Sequence, residues 1–289
     1  MGKERTERRE VGMTFDFSAN ITAVVELLSL VPIQKGLILL IVAGISFPIT
    51  GVYLLRLNLL PLRFMLMHGA ILGGALALSF QWSPFITTII VNLFLVLLMT
   101  KTSRSLKTDA GYISTFFMVI SISLAFILVY KFNVQAKDTL SILWGSLYTS
   151  TWEEVAAVVL FALLLIMFQV FYFRKLQAFF FDREIAYTSG VNECFLYYSI
   201  VLLTALTVAM AMKIIGALLL DALLLLPALI ATLHAKSLRG VIIWSSIWGG
   251  LFALGGFFVS LLIDIPASSA IAALASIVFI VIFVIKRKR

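Results

Sequence analysis

Long apolar segments recur along almost the whole chain, and they restrict it to one kind of fold. Segments of about 17 to 25 apolar residues can cross the roughly 30 Å hydrocarbon core of a bilayer as helices. The chain is 62% hydrophobic and 12% charged, whereas a soluble domain is roughly 45–50% apolar. We predict an all-α, polytopic transmembrane bundle of about nine helices, with eight or ten as alternatives. The predicted spans are 36–55, 60–80, 84–100, 111–131, 153–173, 195–212, 214–234, 240–262 and 267–285.

Two parts of the chain are predicted from this pattern. Residues 31–289 form the transmembrane domain, and residues 1–30 form a charged tail with an amphipathic helix on the membrane surface. The first residues, "MGKERTERREVGM", are too charged for the core of a signal peptide. The boundary near Lys213 is the least certain, because the two short helices predicted on either side of it have one continuous helix as their alternative.

The charged loops predict the orientation of the bundle. Lys and Arg are concentrated in cytoplasmic loops of membrane proteins, so we place the basic loops inside and residues 132–152 outside. The basic loops are "KTSRSLK" at 101–107, "RKLQAFFFDRE" at 174–184, Lys236 with Arg239, and the terminal "KRKR". An odd number of spans would leave the basic N-terminus outside unless residues 14–32 also cross. Most of the basic residues that give the net charge of +8 lie in these loops. They do not form one basic face with interleaved aromatic residues, so nucleic-acid binding is not predicted.

The motifs of several enzyme classes are absent from the sequence. The sequence has no G-x-x-x-x-G-K-[ST], H-E-x-x-H or G-x-S-x-G motif. Cys194 is the single cysteine, which excludes intrachain disulfides and multi-cysteine zinc sites. An intramembrane aspartyl protease needs two carboxylates that share a proton, and Asp221 is the one carboxylate deep in a predicted span. A transport or channel subunit is therefore predicted, not an enzyme.

Asp221 and His68 are the candidate pathway residues. A central aspartate costs about 2.5–3.5 kcal/mol on insertion scales, so it requires a partner or a water-filled cavity. The alternative for Asp221 is a hydrogen-bonded packing residue away from any pathway. The neutral imidazole of His68 suits zinc, manganese or iron, although a lone histidine is also commonly a hydrogen-bonded core residue. Met65 and Met67, which flank it, are predicted to be packing residues.

Two stretches carry a family resemblance. "KIIGALLLDALLLLPALIATL", with Gly216 and Pro227 at the matching places, and "FFDREIAYTSGVN" resemble the membrane subunit of bacterial ABC importers for manganese, zinc and iron. The resemblance covers about residues 31–285. The second stretch matches the pattern F-D-x-E-x-A-x-x-x-G at Phe181, Asp182, Glu184, Ala186 and Gly190. Weaker agreements are Asp109, Gly111, Gly145, Ser146, Asp264 and Pro266, of which Asp264 is predicted to be structural.

The second span departs from the family pattern. The family reads G-D-A-x-S-H-A-x-L-P-G, and "RFMLMHGAILGG" keeps the histidine as His68. Phe64 stands at the aspartate and Arg63 at the glycine before it. The family has a small neutral residue where this chain has Asp221. We therefore predict that His68 and Asp221 contact the metal ion, with the displaced carboxylate replacing the missing one.

The resemblance implies the partners and the function. It implies a homodimer in the bacterial inner membrane, two copies of a cytoplasmic ATPase, and an extracytoplasmic metal-binding protein. The segment 181–190 would be the coupling helix that the ATPase grips. The transported ion would be zinc, manganese or iron, with no permanently bound cofactor. The alternatives are an ABC permease for a metal chelate or vitamin, and a secondary transporter that uses Asp221 as its coupling site.

Overall fold

A computed structural model describes residues 26–134, 145, 147–188 and 190–287. The described residues are almost entirely helical, which confirms the predicted fold class. The α-helices are α1 Val31–Arg56, α2 Leu60–Phe80, α3 Pro84–Leu106, α4 Ala110–Lys131, α5 Trp152–Phe171, α6 Phe173–Phe181, α7 Arg183–Thr188, α8 Glu193–Leu224, α9 Leu226–His234, α10 Leu238–Ile263 and α11 Ala267–Arg287.

The number of apolar helices agrees with the predicted count of about nine. Within the described residues, 8 helices are long and apolar enough to cross a membrane, and the segment Leu219–His234 is a shorter apolar helix. The predicted boundaries lie within a few residues of the observed ones, and the span 60–80 coincides with α2. The apolar pattern therefore determines most of the architecture.

The join between the sixth and seventh apolar segments differs from the prediction. Lys213 lies inside α8, and the chain instead breaks at Gly216, whose φ of 77° and ψ of 172° are not helical. Lys213 is accommodated because its ammonium forms an ion pair with Glu154 at the start of α5. Gly216 takes the break because only glycine adopts this backbone conformation without steric strain.

The start of α1 lies on the predicted outer side. The Lys35 ammonium donates a hydrogen bond to the carbonyl oxygen of Ser150 at 3.4 Å and lies 5.0 Å from the ring centre of Trp152. Both partners belong to the segment that precedes and begins α5, whose loop the charge pattern places outside. The predicted amphipathic helix lies almost entirely outside the described residues.

Close backbone contacts hold α1 against α10. A Cβ atom on Gly44 would lie 2.7 Å from the carbonyl oxygen of Gly249, so a larger residue would separate the two helices. Such small-residue contacts are typical of helix packing in membranes. By contrast, α4 and α11 bury few side chains and expose aromatic and aliphatic ones, such as Phe126 and Ile280, as lipid-facing helices do.

The orientation predicts how the native cysteine reacts. Cys194 is exposed near the start of α8, on the side assigned to the cytoplasm. A membrane-impermeant maleimide should therefore label it in inside-out vesicles and not in intact cells. In a chain with Cys194→Ser and Lys131→Cys, the exposed end of α4 should give the reverse pattern. Labelling of Cys194 from outside would invert the topology.

Candidate functional site

Asp221 lies where the chain resumes its helix after the break at Gly216. It is the third residue of the apolar segment Leu219–His234, so the positive end of the helix dipole favours its negative charge. Its partner comes from α2: the Arg63 guanidinium donates a hydrogen bond from Nη1 to Oδ1 of Asp221 and forms an ion pair with it. This partner was not predicted from the sequence.

The Arg63–Asp221 pair explains how both charges are accommodated in an apolar bundle. Either charge alone costs about 2.5–3.5 kcal/mol at the centre of a membrane helix, and pairing offsets much of that cost. The guanidinium carbon of Arg63 also lies 4.2 Å from the ring centre of Phe64. Asp221 is therefore not an isolated carboxylate, and it contacts Arg63, which is also a departure from the family pattern.

One ring nitrogen of His68 forms no hydrogen bond with the described residues. Its Nδ1 lies 2.7 Å from the carbonyl oxygen of Phe64, one turn earlier in α2. Because that oxygen can only accept, Nδ1 carries the proton and Nε2 keeps a lone pair. Histidines that bind metals commonly use this arrangement, in which the second nitrogen donates to a carbonyl group. The contacts of the described residues do not join His68 to Asp221, and they include no cluster of three or more His, Cys, Asp or Glu residues.

The predicted coupling segment, residues 181–190, contains one short helix, α7, which directly follows another short helix, α6. The chain leaves α6 at Phe181, is extended at Asp182, and forms α7. Gly190, with φ of 72°, follows α7, and the Val191 N–H donates to the Ala186 carbonyl oxygen at 3.0 Å. This six-residue closure is the helix-ending motif for which glycine is preferred. The short helix predicted here is therefore present, and Gly190 ends it.

Large apolar side chains of this segment are exposed. Phe181 is 82% exposed and Tyr187 is 75% exposed, whereas Ala186 is fully buried and anchors α7 to the bundle. Asp182 is exposed, and the side chain of Glu184 lies outside the described residues. A cleft of about 210 Å³ separates Phe179–Asp182 from the turn at Arg56–Asn58. The segment thus combines a fixed base with exposed aromatic residues.

The weaker family agreements have structural roles. Asp109 caps α4 by accepting a hydrogen bond from the Gly111 N–H at 2.7 Å, and Asp264 ends α10 in a left-handed conformation. Gly145 packs on the break in α8, where a Cβ atom on it would lie 2.4 Å from the Gly216 nitrogen. Ser146 lies outside the described residues.

Gly51 on α1 supports the segment that carries Asp221. A Cβ atom on Gly51 would lie 1.9 Å from the Leu224 carbonyl oxygen, so Gly51→Ala must displace backbone. We expect this variant to lower the apparent Tm of the purified protein by roughly 5 °C or more. Gly255→Ala is the matched control, because its new methyl would lie 3.2 Å from the mobile end of Leu274. Equal melting temperatures for the two variants would contradict the contact.

The eight long apolar helices of the described residues define a multi-pass integral membrane protein. The chain belongs to the ABC 3 transport family, whose model matches residues 30–286. Members of this family are transport subunits and are not themselves enzymes. Family membership places it among ABC permeases of the bacterial inner membrane, as the resemblance implied.

Relatives with assigned names are similar along most of their length. The chain is 27% identical over 263 residues to the manganese import system permease protein ScaB of Streptococcus gordonii, covering 89% of this chain and 92% of ScaB. It is 26% identical over 228 residues to the high-affinity zinc uptake system membrane protein ZnuB of Haemophilus influenzae, covering 78% and 85%.

Solved structures share the fold. PsaBC from Streptococcus pneumoniae in complex with Fab superposes with a TM-score of 0.78 at 23% identity, covering 91% of this chain and 95% of that one. An inward-facing conformation of a putative metal-chelate type ABC transporter gives a TM-score of 0.67 at 21% identity, covering 86% and 85%.

Proposed function

We propose that the chain is the permease subunit of an ABC importer that moves a divalent transition-metal ion, Zn²⁺, Mn²⁺ or Fe²⁺, into the cytoplasm. The observation that carries the proposal is the family match over residues 30–286, together with relatives named for zinc and manganese uptake. Membership of an ABC transport family also argues against the alternative of a secondary transporter, because ABC importers are driven by a partner ATPase.

The proposed complex contains two copies of the chain, two copies of a cytoplasmic ATPase and an extracytoplasmic metal-binding protein. The exposed Phe181 and Tyr187 support ATPase docking at the coupling segment, because exposed aromatic residues commonly anchor protein interfaces. The partly exposed Asp221 supports a second copy, because a carboxylate within a membrane span faces a bundle interior or water, not lipid.

His68 and Asp221 are proposed to contact the ion in transit. Imidazole and carboxylate form a weak, open site instead of a closed four-ligand cage, and transport requires that the ion also leaves. The cargo is a substrate of this site and not a resident cofactor.

A metal chelate is the second candidate cargo. Arg63 neutralises Asp221, which leaves His68 as the one free metal-binding side chain in this part of the described bundle. A chelate brings its own ligands and needs fewer from the protein. An excess of unlabelled free metal ion should compete with uptake of a labelled free ion but not with uptake of a labelled chelate, and this difference distinguishes the two cargoes.

The test is uptake of radioactive zinc, manganese and iron by bacteria that lack their own importers for these ions. The cells express the chain with its cognate ATPase and binding protein. We expect accumulation of at least one ion above background, and loss of that accumulation with an ATPase that cannot hydrolyse ATP. Accumulation of the metal only as a chelate would support the second candidate, and no ATP-dependent uptake in either form would contradict both.

A further inference from the structure

The Arg63–Asp221 pair is asymmetric in its exposure. The Arg63 side chain is 7% exposed, whereas the Asp221 side chain is 42% exposed. The guanidinium therefore lies behind the carboxylate. An ion that approaches from the open side meets the negative member of the pair first.

Few contacts hold the guanidinium in place. Asp221 is its hydrogen-bonding partner among the described residues, and the ring of Phe64 covers one face. The Nε atom of Arg63 is buried and has no hydrogen-bond partner in the part of the chain that the structure describes. Separation of the pair therefore breaks one hydrogen-bonded contact, and the ion that takes the place of Arg63 must offset the free-energy cost of leaving the buried guanidinium unpaired. Phe64 can continue to cover the guanidinium.

The other member of the pair is on a segment bounded by two helix irregularities. The break at Gly216 precedes Asp221, and Pro227, which has no backbone N–H, lies in the first turn of α9. Helix breaks of this kind are where small rotations of a segment are accommodated. Asp221 can therefore change its distance from Arg63 without rearrangement of the whole bundle.

We propose that Arg63 is a tethered counter-cation that occupies Asp221 when no cargo ion is present and that the cargo must displace. This inference rests on the proposed function, in which Asp221 contacts a divalent ion. A divalent ion attracts the carboxylate more strongly than the monovalent guanidinium does, so it can displace Arg63 where a monovalent ion cannot. When Arg63 pairs again with Asp221, it favours release of the ion. Arg63 thus sets both the selectivity and the weakness of the site.

Opposite changes in metal affinity test this inference. Equilibrium binding of radioactive Zn²⁺ and Mn²⁺ is measured on the purified permease–ATPase complex without the binding protein. Arg63→Gln removes the competitor and should tighten binding by about tenfold, whereas Asp221→Asn removes the ligand and should weaken it by about tenfold or more. Both variants break the same ion pair. A purely structural role would therefore shift both affinities in the same direction, and that result would overturn the inference.

The double variant Arg63→Gln/Asp221→Asn keeps the inference testable if Arg63→Gln alone fails to fold. It leaves no unpaired charge, so a structural role predicts recovery of wild-type affinity. Our inference predicts affinity that stays well below wild type, because the carboxylate is still missing. Lys213→Gln and Glu154→Gln break a different ion pair of the same bundle, and neither should change affinity appreciably.

Failure of this inference and failure of the proposed function would give different results. Wild-type affinity in both single variants, with ATP-driven metal uptake intact, would overturn the counter-cation and leave the importer unaffected. Absence of metal uptake by the wild-type complex would instead contradict the proposed function on which the inference rests.

Discussion

Phe181→Ala is expected to leave the chain inserted in the membrane and to lower ATP-driven metal uptake by about thirtyfold or more, because a dominant interface residue contributes at least about 2 kcal/mol. Phe181 is 82% exposed at the end of α6, so its removal opens no cavity in the bundle. The buried Phe179 on α6 and Ala186 on α7 fix the position of the two short helices. The loss should therefore fall on docking of the ATPase.

Tyr130→Ala is the matched control for Phe181. Tyr130 is 87% exposed at the opposite end of the bundle, so it tests removal of an exposed aromatic residue far from the coupling segment. Uptake, co-purification of the ATPase and thermal stability are measured for both variants. We expect a loss of ATPase binding with Phe181→Ala alone. Wild-type coupling in that variant would mean that the ATPase docks elsewhere.

Most of the fold was predictable because the bilayer restricts it strongly. A span must be long, apolar and helical, so the sequence pattern alone locates α2 at residues 60–80 and the turn at Asp264. Neither conclusion required knowledge of which helices touch. The short helix between Phe181 and Gly190 was likewise predictable, because these residues lie in one local motif.

The remaining differences arise from contacts between distant residues. Lys213 resembled a boundary because a lone charge is unfavourable inside a span, but Glu154, 59 residues away, neutralises it. Gly216 was recognised as a family match, and its role as the break depends on its backbone conformation, which the sequence does not specify. Arg63 and Asp221, by contrast, are opposite charges within separate predicted spans, a signal that would have located their pair.

The same reasoning applies to the candidate site. Arg63 was noted as a departure at a family glycine, and Asp221 as a departure at a small residue. In the structure, these two residues form one ion pair, although they are 158 positions apart in the sequence. The contacts of the described residues join Asp221 to Arg63 and do not include one between His68 and Asp221. The predicted association of His68 with Asp221 remains a prediction.

His68→Ala is expected to lower metal binding and uptake by about tenfold or more, comparable to the loss of a metal ligand or its direct support. Its Nδ1 donates to the Phe64 carbonyl oxygen, which leaves Nε2 as the lone-pair donor on the partly exposed side of α2. Methyl in place of imidazole removes that donor and leaves the helix backbone unchanged. The same binding and uptake measurements apply.

His234→Ala is an unusually close control, because the two histidines share a local geometry. His234 Nδ1 lies 2.9 Å from the Ile230 carbonyl oxygen, four residues earlier, but its ring packs beside Trp244 and Trp248. We therefore expect its removal to lower thermal stability and to preserve metal affinity. Combining His68→Ala with Asp221→Asn should weaken binding little beyond either single change if both contact one ion, because coupled residues are non-additive. Additive losses would mean that the two residues act at separate points along the pathway, and unchanged uptake in His68→Ala would exclude the imidazole from it.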